Sequence, residues 1–130
     1  MALNPQYEAI GKGFVEQYYL MFDDAAQRAS LVTMYNPETS FMSFEGVPLQ
    51  GANKIMEKFN SLSFQKISRD ITSVDSQPMF DGGILINVLG RLQCDEDPVH
   101  QFNQVFVLKP AGNSFYCAHD IFRLGIHNTL

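Results

Sequence analysis

The chain reads as an α+β domain, with three helices in its first half packed on one face of a bent, mainly antiparallel sheet. Three observations predict this. Apolar residues recur at helical spacing near the start of the chain. After Leu62 the period changes to two, and glycine-bearing turns follow one another at short intervals. The run helix, helix, strand, helix and then four strands keeps helices and late strands apart, the arrangement of an α+β fold rather than of βαβ units.

The first helix is expected to start at Asn4-Pro5, where a capping side chain precedes a residue whose missing N–H costs nothing in the first turn. Tyr7, Ile10, Phe14, Tyr18 and Met21 then form one apolar stripe. Gly11 and Gly13 weaken its intrinsic helicity, so tertiary packing must hold it. Asp23 or Asp24 is expected to cap a second helix that runs toward Tyr35 with Leu31 and Met34 inward, and Pro37 prevents its continuation. From Thr39 to Glu45 the chain alternates, with Ser40, Met42 and Phe44 on one side and Phe41, Ser43 and Glu45 on the other. Gly46, Pro48 and Gly51 then break it before a short helix carrying Ile55, Met56 and Phe59. Four strands are expected at roughly 64–76, 84–94, 100–109 and 114–124.

Those late strands are apolar on both sides. Ile84, Ile86 and Val88 are opposed by Leu85 and Leu89; Phe102, Phe106 and Leu108 by Val105 and Val107; Ile121 by Phe122 and Leu124. A sheet with one wet face alternates more cleanly. In a chain of 130 residues, the expected cover for the second face is another copy of the chain, in a two-fold homodimer. Sheet twist and loops within one monomer are the other way to cover it.

At 130 residues the chain is expected to be one domain, spanning 1–130. Its net charge of −5, with 9 Lys and Arg scattered along the length, argues against a nucleic-acid surface. No apolar stretch approaches the length that crosses a bilayer, so no membrane insertion is expected. The first five residues lack the basic and apolar regions of a signal peptide, and two widely separated cysteines, Cys94 and Cys117, point to free thiols in a reduced compartment.

Catalytic motifs fail one by one. Gly11-Lys12-Gly13 lacks the surroundings of a phosphate cradle, and no zinc spacing, cofactor motif or nucleophilic triad occurs around His100, His119 or His127. Asp70 and Asp120 would serve as general bases only if they entered a cavity, and surface or cross-strand pairing with Arg69, Arg91 or Arg123 is the plainer expectation. No catalytic residue, metal or cofactor is expected, and no enzyme.

The acidic run Cys94-Asp95-Glu96-Asp97-Pro98 is more informative. It places like charges on a short connection, where a cation would relieve their repulsion, although a solvated polar turn explains the same residues. If the sheet brings Glu45 near Asp95 and Asp97, the three form an anionic rim beside an apolar hollow. Such a rim suits a lysine followed by an aromatic ring on a partner protein.

The whole chain resembles the nuclear transport factor 2 family. The resemblance is carried by Gly11, Tyr18-Tyr19-x-x-Phe22-Asp23, Phe44-Glu45-Gly46, Gln50-Gly51 and Phe64-Gln65-Lys66-Ile67. It continues through Asp95-Glu96-Asp97-Pro98 and Asp120-Ile121-Phe122-Arg123-Leu124. It implies a cone-like fold and a homodimeric, non-enzymatic import carrier. The partners it implies are the GTPase Ran in its GDP-bound form and phenylalanine-glycine repeats of nucleoporins. Such a carrier would be found in cytoplasm, nucleus and the nuclear envelope at pore complexes. It further implies that Glu45, Asp95 and Asp97 bind Ran, that Phe64 and Phe122 lie in the cavity or core, and that Tyr7 contacts nucleoporins. Tyr7 stands where the family has a familiar tryptophan, and Arg69 where it has a histidine. A small-molecule isomerase or dehydratase of the same cone shape, and a structural dimerisation and peptide-binding module, are the alternatives.

Overall fold

The computed structural model describes residues 3–63 and 65–125. Helix α1 covers Tyr7–Phe22, a 3-10 helix Arg28–Met34, and helix α2 Ala52–Asn60. The strands are β1 (Phe41–Phe44), β2 (Val47–Gln50), β3 (Ile67–Pro78), β4 (Ile84–Cys94), β5 (His100–Ala111) and β6 (Ser114–Leu124). They form one six-stranded sheet in the order β2-β1-β6-β5-β4-β3. All pairs are antiparallel except β1 with β6, which run parallel. The α+β architecture, with helices on one face of a bent sheet, is as the sequence predicts.

Three local expectations change. Helix α1 starts at Tyr7, because Asn4 uses its side chain to accept the Gln6 N–H at 2.9 Å and holds a turn ahead of the helix. Asp23 and Asp24 do not cap a second α-helix: Asp23 ends α1 and Asp24 accepts from the Ala26 N–H, so the chain turns before the 3-10 segment. Gly46 and Pro48 do not merely interrupt the chain. Glu45 and Gly46 both take positive φ, 51° and 85°, and make a two-residue hairpin turn whose twist suits the β1–β2 pair. Pro48 is tolerated because β2 is an edge strand with no further ladder to donate to.

The core lies between α1, the 3-10 helix, α2 and the inner sheet face. Ile84, Ile86, Val88, Phe106 and Leu108 are fully buried there, together with Tyr18, Leu31, Ile55 and Phe59. Each such side chain contributes roughly 1.5–3 kcal/mol of transfer free energy. Gly11 shows how closely α1 approaches β3: a Cβ there would meet Ser76 Oγ at 2.2 Å. Two irregularities bend the sheet, one between Ile71 and Ser73 of β3 and one between Val107 and Leu108 of β5. The second puts Cys117 and Ala118 inside together and restores the inward register for Asp120 and Phe122.

The other sheet face is uncovered in the single chain. Phe41, Leu89 and Ile121 are 40%, 44% and 49% exposed, and Leu85, Val105 and Val107 are half-buried among them. The register sets Phe41, His119, Val107 and Leu85 in one row across β1, β6, β5 and β4, and pairs Ile121 with Val105 in the next.

Candidate functional site

A cavity of about 140 Å³ opens between the helices and the concave inner sheet face. Tyr18 and Phe22 of α1 form one side; Met42 and Phe44 of β1 with Phe122 and Leu124 of β6 form another. Leu62, Ile67, Arg69, Leu92, Cys94 and Gln104 complete the wall. The rings of Phe44 and Phe122 stack at 5.1 Å within the lining, and the Phe102 ring, outside the lining, follows Phe122 at 6.0 Å. Phe122 is therefore a cavity residue. Phe64 lies outside the described residues.

The acidic positions sit where the lining strands end. Glu45 directly follows Phe44, and Asp95 directly follows Cys94, so each leaves the cavity wall into a turn. Glu45 Oε1 accepts the Leu124 N–H at 2.5 Å, which ties the β1–β2 turn to another lining residue. Asp95 Oδ1 accepts the Lys66 N–H at 2.9 Å and the Gln65 N–H at 3.2 Å, clasping the segment that enters β3. Asp97 makes a turn through its backbone N–H, which donates to Cys94 O at 2.9 Å. Its carboxylate has no hydrogen bond or ion pair among the described residues. Glu45 and Asp95 are, among the described residues, the two non-glycines with positive φ, both 51°. Strain of this kind costs about 1–3 kcal/mol per residue and concentrates at functional sites.

Two buried polar groups lie deeper. Arg69 crosses from β3 to Asp23 at the end of α1, donating from Nη2 to Oδ1 at 2.6 Å and from Nε to Oδ2 at 2.9 Å. Its guanidinium carbon stands 4.0 Å from the Tyr19 ring centroid and 4.9 Å from that of Phe102. Nη1 is buried without an acceptor among the described residues. The second group is Asp120 of β6, which is completely buried. Its Oδ2 accepts from Tyr35 at 2.8 Å and from Tyr18 at 3.3 Å, and its Oδ1 from Gln104 Nε2 at 2.8 Å. Gln104 in turn accepts from the Tyr19 hydroxyl at 2.8 Å. Burial pushes the Asp120 carboxyl up to about 6, against the pull of these three donors in the opposite direction. Burial, reinforced by that carboxylate, raises the Tyr18 and Tyr35 hydroxyls well above their ordinary range.

These positions revise several expectations. Asp120 pairs with two tyrosines and a glutamine rather than with arginine, and it is not in the cavity wall. Asp70 is exposed on β3, and His119 is exposed on the outer face. Arg69 pairs with Asp23. Tyr7 occupies the first turn of α1, half-buried, with its hydroxyl donating to Glu8 Oε1 at 3.2 Å; it is not part of the cavity. The tyrosine partners of Asp120 escape a sequence reading, although Tyr18 on the α1 stripe and a carboxylate in register with Phe122 are a usable signal. Among the described residues no cluster of His, Cys, Asp and Glu could hold a metal ion.

A fold of this kind, in which two strands lining an aromatic cavity run into the acidic residues Glu45 and Asp95, can be compared with known proteins. A family model for the Nuclear transport factor 2 (NTF2) domain matches residues 10–124. The chain belongs to the nuclear transport factor 2 family. A probable nuclear transport factor 2 from Caenorhabditis elegans is 47% identical over 132 residues, covering 98% of this chain and 99% of its own. The nuclear transport factor 2 of Candida glabrata is 42% identical over 124 residues, covering 94% and 97%. Among solved structures, nuclear transport factor 2 from Cryptosporidium parvum superposes with a TM-score of 0.89 at 40% identity, covering 96% of this chain and 99% of its own. Family membership thus extends over nearly the whole length, including the positions of Glu45, Asp95 and Asp97.

Proposed function

We propose that this chain is a non-enzymatic nuclear import carrier that binds GDP-bound Ran through the cavity and its acidic turns, and nucleoporin phenylalanine-glycine repeats elsewhere on its surface. One observation carries the reading: two strands that line an aromatic cavity end in strained acidic residues, Glu45 and Asp95. Asp97, two residues beyond Asp95, has a carboxylate without a partner among the described residues. A lysine meeting these carboxylates would gain charge-assisted hydrogen bonds while an adjacent ring fills the hollow. Selectivity for one nucleotide state would follow if only that state of Ran presents both groups together.

The absence of a carboxylate or histidine from the described cavity lining also supports a carrier. Asp120 and its tyrosines resemble an acid–base constellation, but the carboxylate lies behind the wall with all its partners supplied by the protein. Tyr7 is the candidate for nucleoporin contact. The exposed patch around Phe41, Leu89 and Ile121 suits a homodimer, and such a carrier would work in cytoplasm, nucleus and nuclear pores. Placing a charge at its centre with Ile121→Lys should shift sedimentation from dimer to monomer; an unchanged dimer would move the interface elsewhere.

The deciding experiment is titration of the chain with GDP-loaded and GTP-loaded Ran. Preferential binding of the GDP form is expected. Equal affinity for both forms, or binding to neither, rejects the carrier reading.

A further inference from the structure

The turn that carries Glu45 is held by three successive residues of β6. Phe122 O accepts the Glu45 N–H at 3.0 Å, and the Leu124 N–H donates to Glu45 Oε1 at 2.5 Å. Arg123, between them, acts through its side chain. A Cβ placed on Gly46 would stand 3.1 Å from Arg123 Nη2, and 3.5 and 3.6 Å from Cζ and Nη1. Three guanidinium atoms at nearly one distance mean that the flat face of the group, and not its tip, covers the turn. Gly46 leaves room for that face: its φ of 85° favours glycine, and a side chain there would crowd the guanidinium.

Arg123 is exposed, and among the described residues it forms no ion pair. No acceptor therefore places the guanidinium over Gly46; packing of its plane on the turn does. Glu45 has a φ of 51°, a conformation that persists in a non-glycine only where its surroundings hold it. Two hydrogen bonds tether Glu45 to β6, and the guanidinium packs on the next residue. We propose that Arg123 is the positioning residue for Glu45: it keeps the strained turn shut, so that the carboxylate is already ordered on the Leu124 N–H when a cationic group of the partner arrives. The cation-binding role of Glu45 rests on the carrier reading, and its positioning by Arg123 does not. Charge alone argues the reverse, because a guanidinium near a site for a lysine repels that lysine. Positioning predicts a loss of affinity when the plane is removed, because a loosened Glu45 has to be ordered at the moment of binding.

The test compares the full-length chain with Arg123→Lys, which keeps the charge and removes the plane. By NMR of the chain alone, the Leu124 amide proton, on a short charge-assisted bond, is expected far downfield. In the variant it should move upfield and exchange with solvent about tenfold faster. The Lys66 amide, held by Asp95 in the other acidic turn at 2.9 Å, should do neither. Ran-GDP affinity should fall about fivefold, and the same substitution in a Glu45→Gln background should cost no further affinity. A Leu124 signal that stays in place overturns the inference. So does an equal loss of Ran-GDP affinity with and without the Glu45 carboxylate, which would make Arg123 a direct contact. If the wild-type chain binds no Ran-GDP, the carrier reading falls, and the Leu124 signal by itself still decides whether Arg123 positions Glu45.

Discussion

The Asp120 network and the cavity wall around Arg69 are both polar groups sunk in aromatic surroundings, and they are finished differently. Each oxygen of Asp120 meets a donor, from Tyr18, Tyr35 or Gln104, and the carboxylate contributes nothing to the cavity surface. Arg69 satisfies one edge on Asp23 and leaves Nη1 buried without an acceptor among the described residues. A closed network holds α1, the segment after the 3-10 helix, β5 and β6 together. Burial alone therefore does not mark a functional group.

Three perturbations separate the two regions. The largest effect is expected at the acidic turn after the lining strand β4: Asp97→Ala should weaken Ran-GDP binding by about 2–5 kcal/mol, if it strands the partner's charge, while unfolding in denaturant moves by no more than about 0.5 kcal/mol. Asp97 is a cleaner probe than Asp95, whose carboxylate also anchors Gln65 and Lys66. Unchanged affinity in a folded variant would remove Asp97 from the site.

The next test titrates the closed network. The folded-state value of Asp120, about 6, lies above its ordinary 3.8, so between those values the folded protein keeps a proton that the unfolded chain has released. Its contribution to stability is full below pH 4 and is lost as pH rises through 6. At about 1.4 kcal/mol per pH unit, the loss is on the order of 3 kcal/mol. Asp120→Asn should abolish this component, so the stability difference between variant and wild type should change across pH 4–7 by that order. A difference that stays flat would mean that Asp120 is not held as described.

The smallest effect is expected from Tyr35→Phe. It removes the 2.8 Å donor to Asp120 while Tyr18 remains, at a cost of roughly 1–2 kcal/mol in stability. Ran-GDP affinity should not move. A large change in affinity would show that the two regions are coupled and that the distinction between them fails.

Much of this was legible in the residues. β4 and β6 fall where alternation places them, and the opposed apolar sets of β4, β5 and β6 correctly announce an apolar outer face. Pattern failed where one side chain outweighs periodicity. Asn4 delays α1 by capping a turn, and Glu45 adopts a left-handed conformation that makes β2 possible. Phe122, which lines the cavity, was recognisable from the family resemblance, as were the proposed binding positions Glu45, Asp95 and Asp97, whereas the partners of Arg69 and Asp120 were not legible. Asp23 and Arg69 are 46 residues apart, and Tyr35 and Asp120 are 85 apart.

Local order, the inward and outward faces of each strand and the balance of charge were written in the chain itself, because they depend on spacing over a few residues. Which buried polar groups meet, which are left an acceptor short and where a hollow survives were decided only by folding. Those outcomes depend on distances between segments that periodicity does not encode, and on how tightly a glycine or a bulge lets two elements approach.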